Sequence, residues 1–160
     1  MNRVLFRAEE LPLPCWTLAA DSFAQKVLDF LGLDNCELSV LFCNNRYIKS
    51  LNAQYRNKDE PTDVLSFPLG DILPNSHKRP HRFGRVYLLG DIVISLDALE
   101  ENARFFKVSR DEELRRLFVH SILHLFGYDH ATNEEEEPML KTQEEIMSAL
   151  ADMRIQENDS

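Results

Sequence analysis

The sequence predicts a single α+β domain, residues 1–160, in which a small mixed sheet is packed with about five helices. Three observations lead to this prediction. A chain of 160 residues can bury one hydrophobic core and is short for two. Short strand-like segments alternate along it with longer amphipathic segments. Residues 86–94 are almost continuously apolar, which is typical of a central strand covered on both faces.

The first half of the chain contains two strand–helix pairs. A short strand is expected at 4–6, and a helix at 16–31 that ends at a glycine. Apolar and polar side chains alternate in the next strand, residues 36–43. Asn44 or Asn45 can cap the helix that follows, because a short polar side chain there accepts hydrogen bonds from its first turn.

Two further strands follow. A turn-rich loop leads into a strand at 64–67, which Pro68 should end because proline cannot donate to a strand ladder. The basic segment 77–85 is interpreted as a loop. Gly90 lies within the apolar strand 86–94, where a bulge is expected.

The remaining segments have helical patterns. Ser95 begins a helix that continues through Phe106. Ser109 and Glu112 form a capping box for a second helix that reaches about residue 126. A last amphipathic helix is expected at 138–151.

Composition indicates a cytoplasmic protein without a membrane partner. The first residues mix charges and prolines with apolar side chains, so they lack the apolar core of a secretory signal, and no later run reaches membrane-spanning length. The three cysteines, Cys15, Cys36 and Cys43, are widely spaced and form no C-x-x-C pair. We therefore expect reduced, packed thiols rather than disulfides or a cysteine–zinc site.

The charge distribution allows a polyanionic partner that the net charge alone disfavours. The net charge is -9, whereas binding to nucleic acid draws on Lys and Arg that neutralise phosphates. Much of the acid is concentrated at 134–137 and near the end of the chain. A basic cluster in mid-chain consists of His77, Lys78, Arg79, His81, Arg82 and Arg85. By itself this cluster is typical of an ordinary solvated loop.

The segment HSILHLFGYDH has the spacing of a metal site. His120 and His124 are four residues apart, so on a helix both imidazoles face the same way. Gly127 can end the helix and turn the chain back, which allows His130 to approach from a third direction. The alternative is that these histidines are ordinary helix residues with ordinary hydrogen bonds.

The spacing predicts one catalytic zinc ion. Three imidazoles leave a fourth tetrahedral position for water, which is the pattern of a catalytic rather than a structural site. Nickel, copper or manganese can take the same ligands. Asp129 is either a hydrogen-bond acceptor for an imidazole N–H or a turn residue.

The same spacing occurs in metzincin proteases, whose pattern is H-E-x-x-H-x-x-G-x-x-H. Ser121 stands here at the position of their general-base glutamate. A hydroxyl does not accept a proton from water as a carboxylate does, so peptide hydrolysis by that route is disfavoured.

Together with YRNKDEPTDVLSFP and LGDIVIS, this motif makes the sequence resemble the YbeY family of bacterial rRNA maturation factors. The three segments span residues 55–130. Ser121 replaces the glycine found in many members, outside the ligand set. The resemblance implies a mixed four-stranded sheet with surrounding helices.

The resemblance also implies a metal-dependent endoribonuclease that acts on single-stranded RNA rather than DNA. It implies roles in maturing the 3′ end of 16S rRNA and in ribosome quality control, with the small ribosomal subunit or its associated proteins as partners. The family's functional arginine corresponds to Arg56, which we expect to bind the scissile phosphate. The alternative for Arg56 is a surface salt bridge with Asp59 or Glu60. The resemblance places Ser66 and Asp91 on strands beside the metal helix and leaves their roles open.

Two other functions remain open at this point. A zinc peptidase with a metzincin-like site is supported by the ligand spacing and opposed by Ser121. A ribosome-assembly factor whose metal is structural is disfavoured by the open fourth position, although three ligands alone do not establish turnover.

Overall fold

In the part of the chain that the structure describes, five helices surround one mixed sheet, which confirms the predicted α+β class. A computed structural model describes residues 1–69, 81–83, 86–128 and 137–156. The elements along the chain are β1 (Arg3–Ala8), α1 (Thr17–Phe30), β2 (Cys36–Cys43), α2 (Asn45–Arg56), β3 (Val64–Pro68), β4 (His81–Phe83), β5 (Val86–Ser95), α3 (Leu96–Phe106), α4 (Arg110–Leu125) and α5 (Pro138–Ala149).

Among the described residues the sheet has five strands, four of which lie in the order β1-β2-β5-β3. The first three run parallel and β3 runs antiparallel to β5. The short strand β4 pairs antiparallel with the first residues of β5. Residues 81–83 were interpreted as a loop, and this was wrong. Strand β3 pairs with β5 only as far as Gly90, so the backbone of β5 before Gly90 needs another partner along that edge.

Gly90 allows three elements to approach one another closely. The register between β2 and β5 shifts next to Gly90, which confirms the predicted bulge. Its φ is 139°, and a Cβ there would lie 2.2 Å from the carbonyl oxygen of Phe67 and 3.0 Å from Cδ2 of Leu125. A side chain would separate β5 from β3 and from the end of α4.

Three helices begin at the expected caps. The side-chain oxygens of Asn44, Ser95 and Ser109 accept hydrogen bonds from backbone N–H groups in the first turns of α2, α3 and α4. Helix α4 ends at Leu125, where Gly127 takes a left-handed φ of 99°. The chain therefore turns at the glycine that the sequence indicated.

The helices cover the two faces of the sheet unequally. One face carries the larger core, to which α1, α4 and α5 contribute. The other face carries a small cluster in which Ile48 of α2 packs against Leu41, Leu65 and Val93. Within the described ranges, no helix has the length and apolar character needed to cross a bilayer.

The cysteines lie in two environments. Cys36 and Cys43 are buried free thiols, and burial raises their pKa values to about 11 and about 12 respectively. Cys15 is a free thiol too, but it is exposed. The prediction of packed thiols was therefore wrong for Cys15, which lies before the first helix and outside the core.

Candidate metal centre

Two of the three predicted ligands lie together on the last turns of α4. The rings of His120 and His124 meet edge to face, with their centroids 4.6 Å apart. Their Nε2 atoms are 3.1 Å apart. Two nitrogens bound to one tetrahedral zinc are each about 2.0–2.1 Å from the ion and therefore roughly 3.3 Å from each other. The spacing of the two Nε2 atoms fits a shared ion.

Gln143 of α5 fixes the orientation of His120. Its Oε1 lies 2.7 Å from Nδ1 of His120, and the glutamine is only 6% exposed. A carboxamide oxygen only accepts hydrogen bonds, so the contact places the imidazole proton on Nδ1. The lone pair of Nε2 is then directed towards His124. A histidine ligand is commonly held in this way by an acceptor on its other nitrogen.

The two histidines are half-buried at an electrostatically favourable position for a cation. Apolar neighbours on α4 are fully buried, among them Val119, Ile122 and Leu123. The carboxyl end of a helix carries a partial negative charge, which favours a cation near the last turn. Exclusion of water by the apolar neighbours strengthens such interactions.

Ser121 is directed away from the histidine pair. It is fully buried, and its hydroxyl donates to the carbonyl oxygen of Leu117 in the preceding turn. The position that holds the general base of metzincins is therefore occupied here by a hydroxyl that is bonded to its own helix.

Glu113 lies on the same face of α4 as His120, two turns nearer the amino end. It is 5% exposed, and burial raises the pKa of its carboxyl group. Asn102 donates a hydrogen bond to the carboxyl group of Glu113, and this bond lowers the pKa. Seven residues correspond to about 10 Å along a helix, so Glu113 is too distant to contact a group held at His120.

The third predicted ligand, His130, lies outside the described residues, as does Asp129. Among the residues that the structure describes, no group of three or more His, Cys, Asp or Glu side chains meets in a metal-binding arrangement. The structure thus brings His120 and His124 together, and the contribution of His130 stays a prediction.

Arg56 is exposed at the carboxyl end of α2, on the opposite face of the sheet from α4. Within the described part of the chain it forms no ion pair, so the alternative of a salt bridge with Asp59 or Glu60 is not realised. The neighbouring Tyr55 packs on Phe67 near the end of β3. Arg56 therefore does not contact the histidine pair.

Arg56 and the histidine pair nevertheless lie at the same end of the sheet. Pro68, the last residue of β3, pairs with Gly90, against which Leu125 of the histidine helix packs. Tyr55 packs on Phe67, the residue before Pro68. The neighbours of both groups therefore meet around the end of β3.

The role of Gln143 beside His120 was not predicted from the sequence. The contact joins residues that are 23 positions apart, and the order of α4 and α5 in space was not predictable from local patterns. One signal was available: Gln143 occupies a position on the buried stripe of α5, between Met139 and Ile146, where an apolar residue is expected. A buried polar side chain at such a position needs a hydrogen-bond partner.

The chain is similar to known proteins over most of its length. The family model described as Endoribonuclease YbeY matches residues 10–151. A protein named Endoribonuclease YbeY from Treponema denticola is 47% identical over 135 residues, which cover 84% of each chain. Another of that name from Aquifex aeolicus is 44% identical over 132 residues, covering 82% of this chain and 81% of that one.

A solved structure has the same fold. The solution structure of TM1509 from Thermotoga maritima superposes with a TM-score of 0.61 and 25% sequence identity. The match covers 93% of this chain and 90% of that chain.

Proposed function

The chain belongs to the Endoribonuclease YbeY family, and from this premise we propose that it is a zinc-dependent endoribonuclease that cuts single-stranded RNA. We further propose that it acts in the cytoplasm, matures the 3′ end of 16S rRNA and takes part in ribosome quality control. The names of its relatives support endonucleolytic cleavage of RNA.

The observation that carries the proposal is the convergence of two imidazole nitrogens. The Nε2 atoms of His120 and His124 are 3.1 Å apart, and Gln143 holds the proton of His120 on the other nitrogen. His130 is the proposed third ligand, because Gly127 turns the chain back directly after α4. A zinc ion bound there would lower the pKa of a water molecule and polarise a phosphoryl oxygen.

The side chains around the pair have separate roles. His120 and His124 present neutral Nε2 atoms, and Gln143 keeps the first of them in that state. Arg56 is assigned to the phosphate of the RNA that is cut. A guanidinium is a planar, charged fork that can hold two phosphate oxygens at once. Its lack of an ion pair among the described residues leaves that fork available.

RNA binding by this acidic chain should depend on its partners. A net charge of -9 weakens the attraction of the chain to phosphates. We therefore propose that the small ribosomal subunit or a protein associated with it positions the substrate. Cleavage of free RNA should then be slow compared with cleavage of RNA on the subunit.

The test compares substrates of different classes. Zinc-loaded protein is incubated with a single-stranded RNA, the DNA of the same sequence, and denatured casein. We expect cleavage of the RNA alone, and loss of that cleavage in His124→Ala. Cleavage of casein would favour a peptidase. If the protein leaves the RNA intact, both as free RNA and as RNA on the small subunit, an assembly factor with a structural metal is favoured.

A further inference from the structure

One row of side chains on the α2 face of the sheet is only partly covered by α2. Ser39 of β2 and Phe67 of β3 both pair with Asp91 of β5, so the three side chains point to the same face. The next row, with Leu41 and Val93, lies under α2 and is buried. Asp91 itself is exposed.

A cavity of about 390 Å³ lies over this row. Its walls include Tyr47 and Tyr55 from α2, together with Phe67 from the sheet. The ring of Tyr55 meets that of Phe67 edge to face, with centroids 5.4 Å apart, and Tyr55 is 61% exposed. The size is within the range of small-molecule sites, and the exposed aromatic face suits a planar ring.

The charged groups that line the cavity are the carboxylate of Asp91 and the guanidinium of Arg7. The hydroxyl of Ser39 donates to Oδ1 of Asp91, which orients the carboxylate. Within the described residues, Oδ2 of Asp91 has no hydrogen-bond partner. Arg7 of β1 also lines the cavity and forms no ion pair with a described carboxylate. The cavity thus offers acceptors at Asp91 and a cation at Arg7.

These features together select a ligand. A carboxylate only accepts hydrogen bonds, so it is matched by an edge with two adjacent donors. Among the four RNA bases, guanine has such an edge in N1–H and its 2-amino group. On the corresponding edges of adenine, cytosine and uracil, a donor lies next to an acceptor. A base unstacked from single-stranded RNA can stack on Tyr55 while its edge is read by Asp91. Arg7 can hold the phosphate of the same nucleotide.

We propose that this cavity is a guanine-binding subsite for single-stranded RNA. The proposal rests on the proposed function, because the ligand is part of the RNA substrate. The cavity and the histidine pair lie on opposite faces of the sheet, and Asp91 directly follows Gly90, against which Leu125 of the histidine helix lies. The guanine is therefore a nucleotide near the cut rather than the one that is cut, and the subsite sets where cleavage occurs along the RNA.

The test measures binding of four mononucleotides: guanosine, inosine, adenosine and cytidine monophosphate. Inosine lacks the 2-amino group and otherwise keeps the edge of guanine. We expect the wild-type protein to bind guanosine monophosphate about tenfold more tightly than the other three, as for a well-formed bidentate contact to a base. Equal affinity for guanosine and inosine monophosphate in the wild-type protein would overturn the proposal.

Two variants separate reading of the base from stacking on it. Asp91→Asn, in which one acceptor becomes a donor, should lose the preference for guanosine over inosine monophosphate. Asp152→Asn, the same change at an exposed position outside the cavity, should keep that preference. Tyr55→Ala should weaken binding of all four nucleotides without changing their order. An unchanged preference in Asp91→Asn would also overturn the proposal.

The test stands apart from the test of the nuclease. Binding of mononucleotides requires no cleavage, and His124→Ala should retain the preference for guanosine. If RNA is cut but guanosine is not preferred, the subsite is wrong and the nuclease stands. If guanosine is preferred but RNA is never cut, the nuclease is wrong and the subsite stands.

Discussion

Replacing Gln143 by leucine should weaken zinc binding without unfolding the protein. Leucine has nearly the same size, but it cannot accept the proton on Nδ1 of His120. The lost contact is a hydrogen bond of 2.7 Å from a side chain that is 6% exposed, so water replaces it poorly. The ring of His120 can then rotate, and its proton can move to Nε2. A protonated Nε2 has no lone pair with which to bind a metal.

The expected magnitude follows from the behaviour of comparable contacts. Loss of a hydrogen-bond partner behind a histidine ligand typically lowers metal affinity about 10–100-fold. This corresponds to about 1.4–2.7 kcal/mol of binding free energy. Gln143→Glu should retain the affinity, because a carboxylate oxygen at the same place also accepts from Nδ1.

The assay is competition for zinc between metal-free protein and a chromophoric chelator. A matched control is Gln25→Leu, the same change in α1, where the amide donates to the carbonyl oxygen of Asn2 far from the histidines. We expect Gln25→Leu to bind zinc like the wild-type protein. Equal zinc affinity of Gln143→Leu and wild type would refute the assignment of Gln143 as a positioning residue.

Three further predictions concern other parts of the chain. Arg56→Ala should lower kcat on single-stranded RNA on the order of 10²-fold. Arg56→Lys should recover only part of the lost rate. A wild-type rate in Arg56→Ala would show that Arg56 takes no part in cleavage. A chromogenic disulfide reagent at pH 8 should modify the exposed Cys15 quickly and should leave Cys36 and Cys43 unmodified until the protein unfolds. The reason is that burial raises the pKa values of Cys36 and Cys43 to about 11 and about 12. Rapid modification of all three cysteines would contradict this. Burial raises the pKa of Glu113 in the folded state, so the free energy of unfolding should fall as the pH rises above its ordinary value of 4.5; urea titrations should show less of this fall in Glu113→Gln, and identical pH profiles would contradict the burial effect.

Local chemistry made much of the fold predictable. Strand β2 begins and ends at the predicted residues, because alternation marks its length and Asn44 caps the next helix. Ser95 and Ser109 likewise mark the starts of α3 and α4. The pairing of His120 with His124 followed from helix geometry alone. Each of these features depends on residues within one turn or one strand.

Features that depend on distant parts of the chain were not predictable. Strand β4 forms because β5 has an unpaired edge, and the basic composition of residues 77–85 gave no sign of this. The cavity above Asp91 is formed jointly by α2 and by strands that are distant from one another in sequence. Gln143 reaches His120 only because α5 packs against α4. Such contacts are set by packing between elements rather than by local sequence.

The most direct test of the central claim is a zinc titration of the RNA-cleaving activity of metal-free protein. We predict that the cleavage rate on single-stranded RNA rises in proportion to added zinc and becomes constant at one ion per chain. A metal-free protein that cleaves at its full rate, or a protein that gains no activity with zinc or any other divalent metal, would contradict the account.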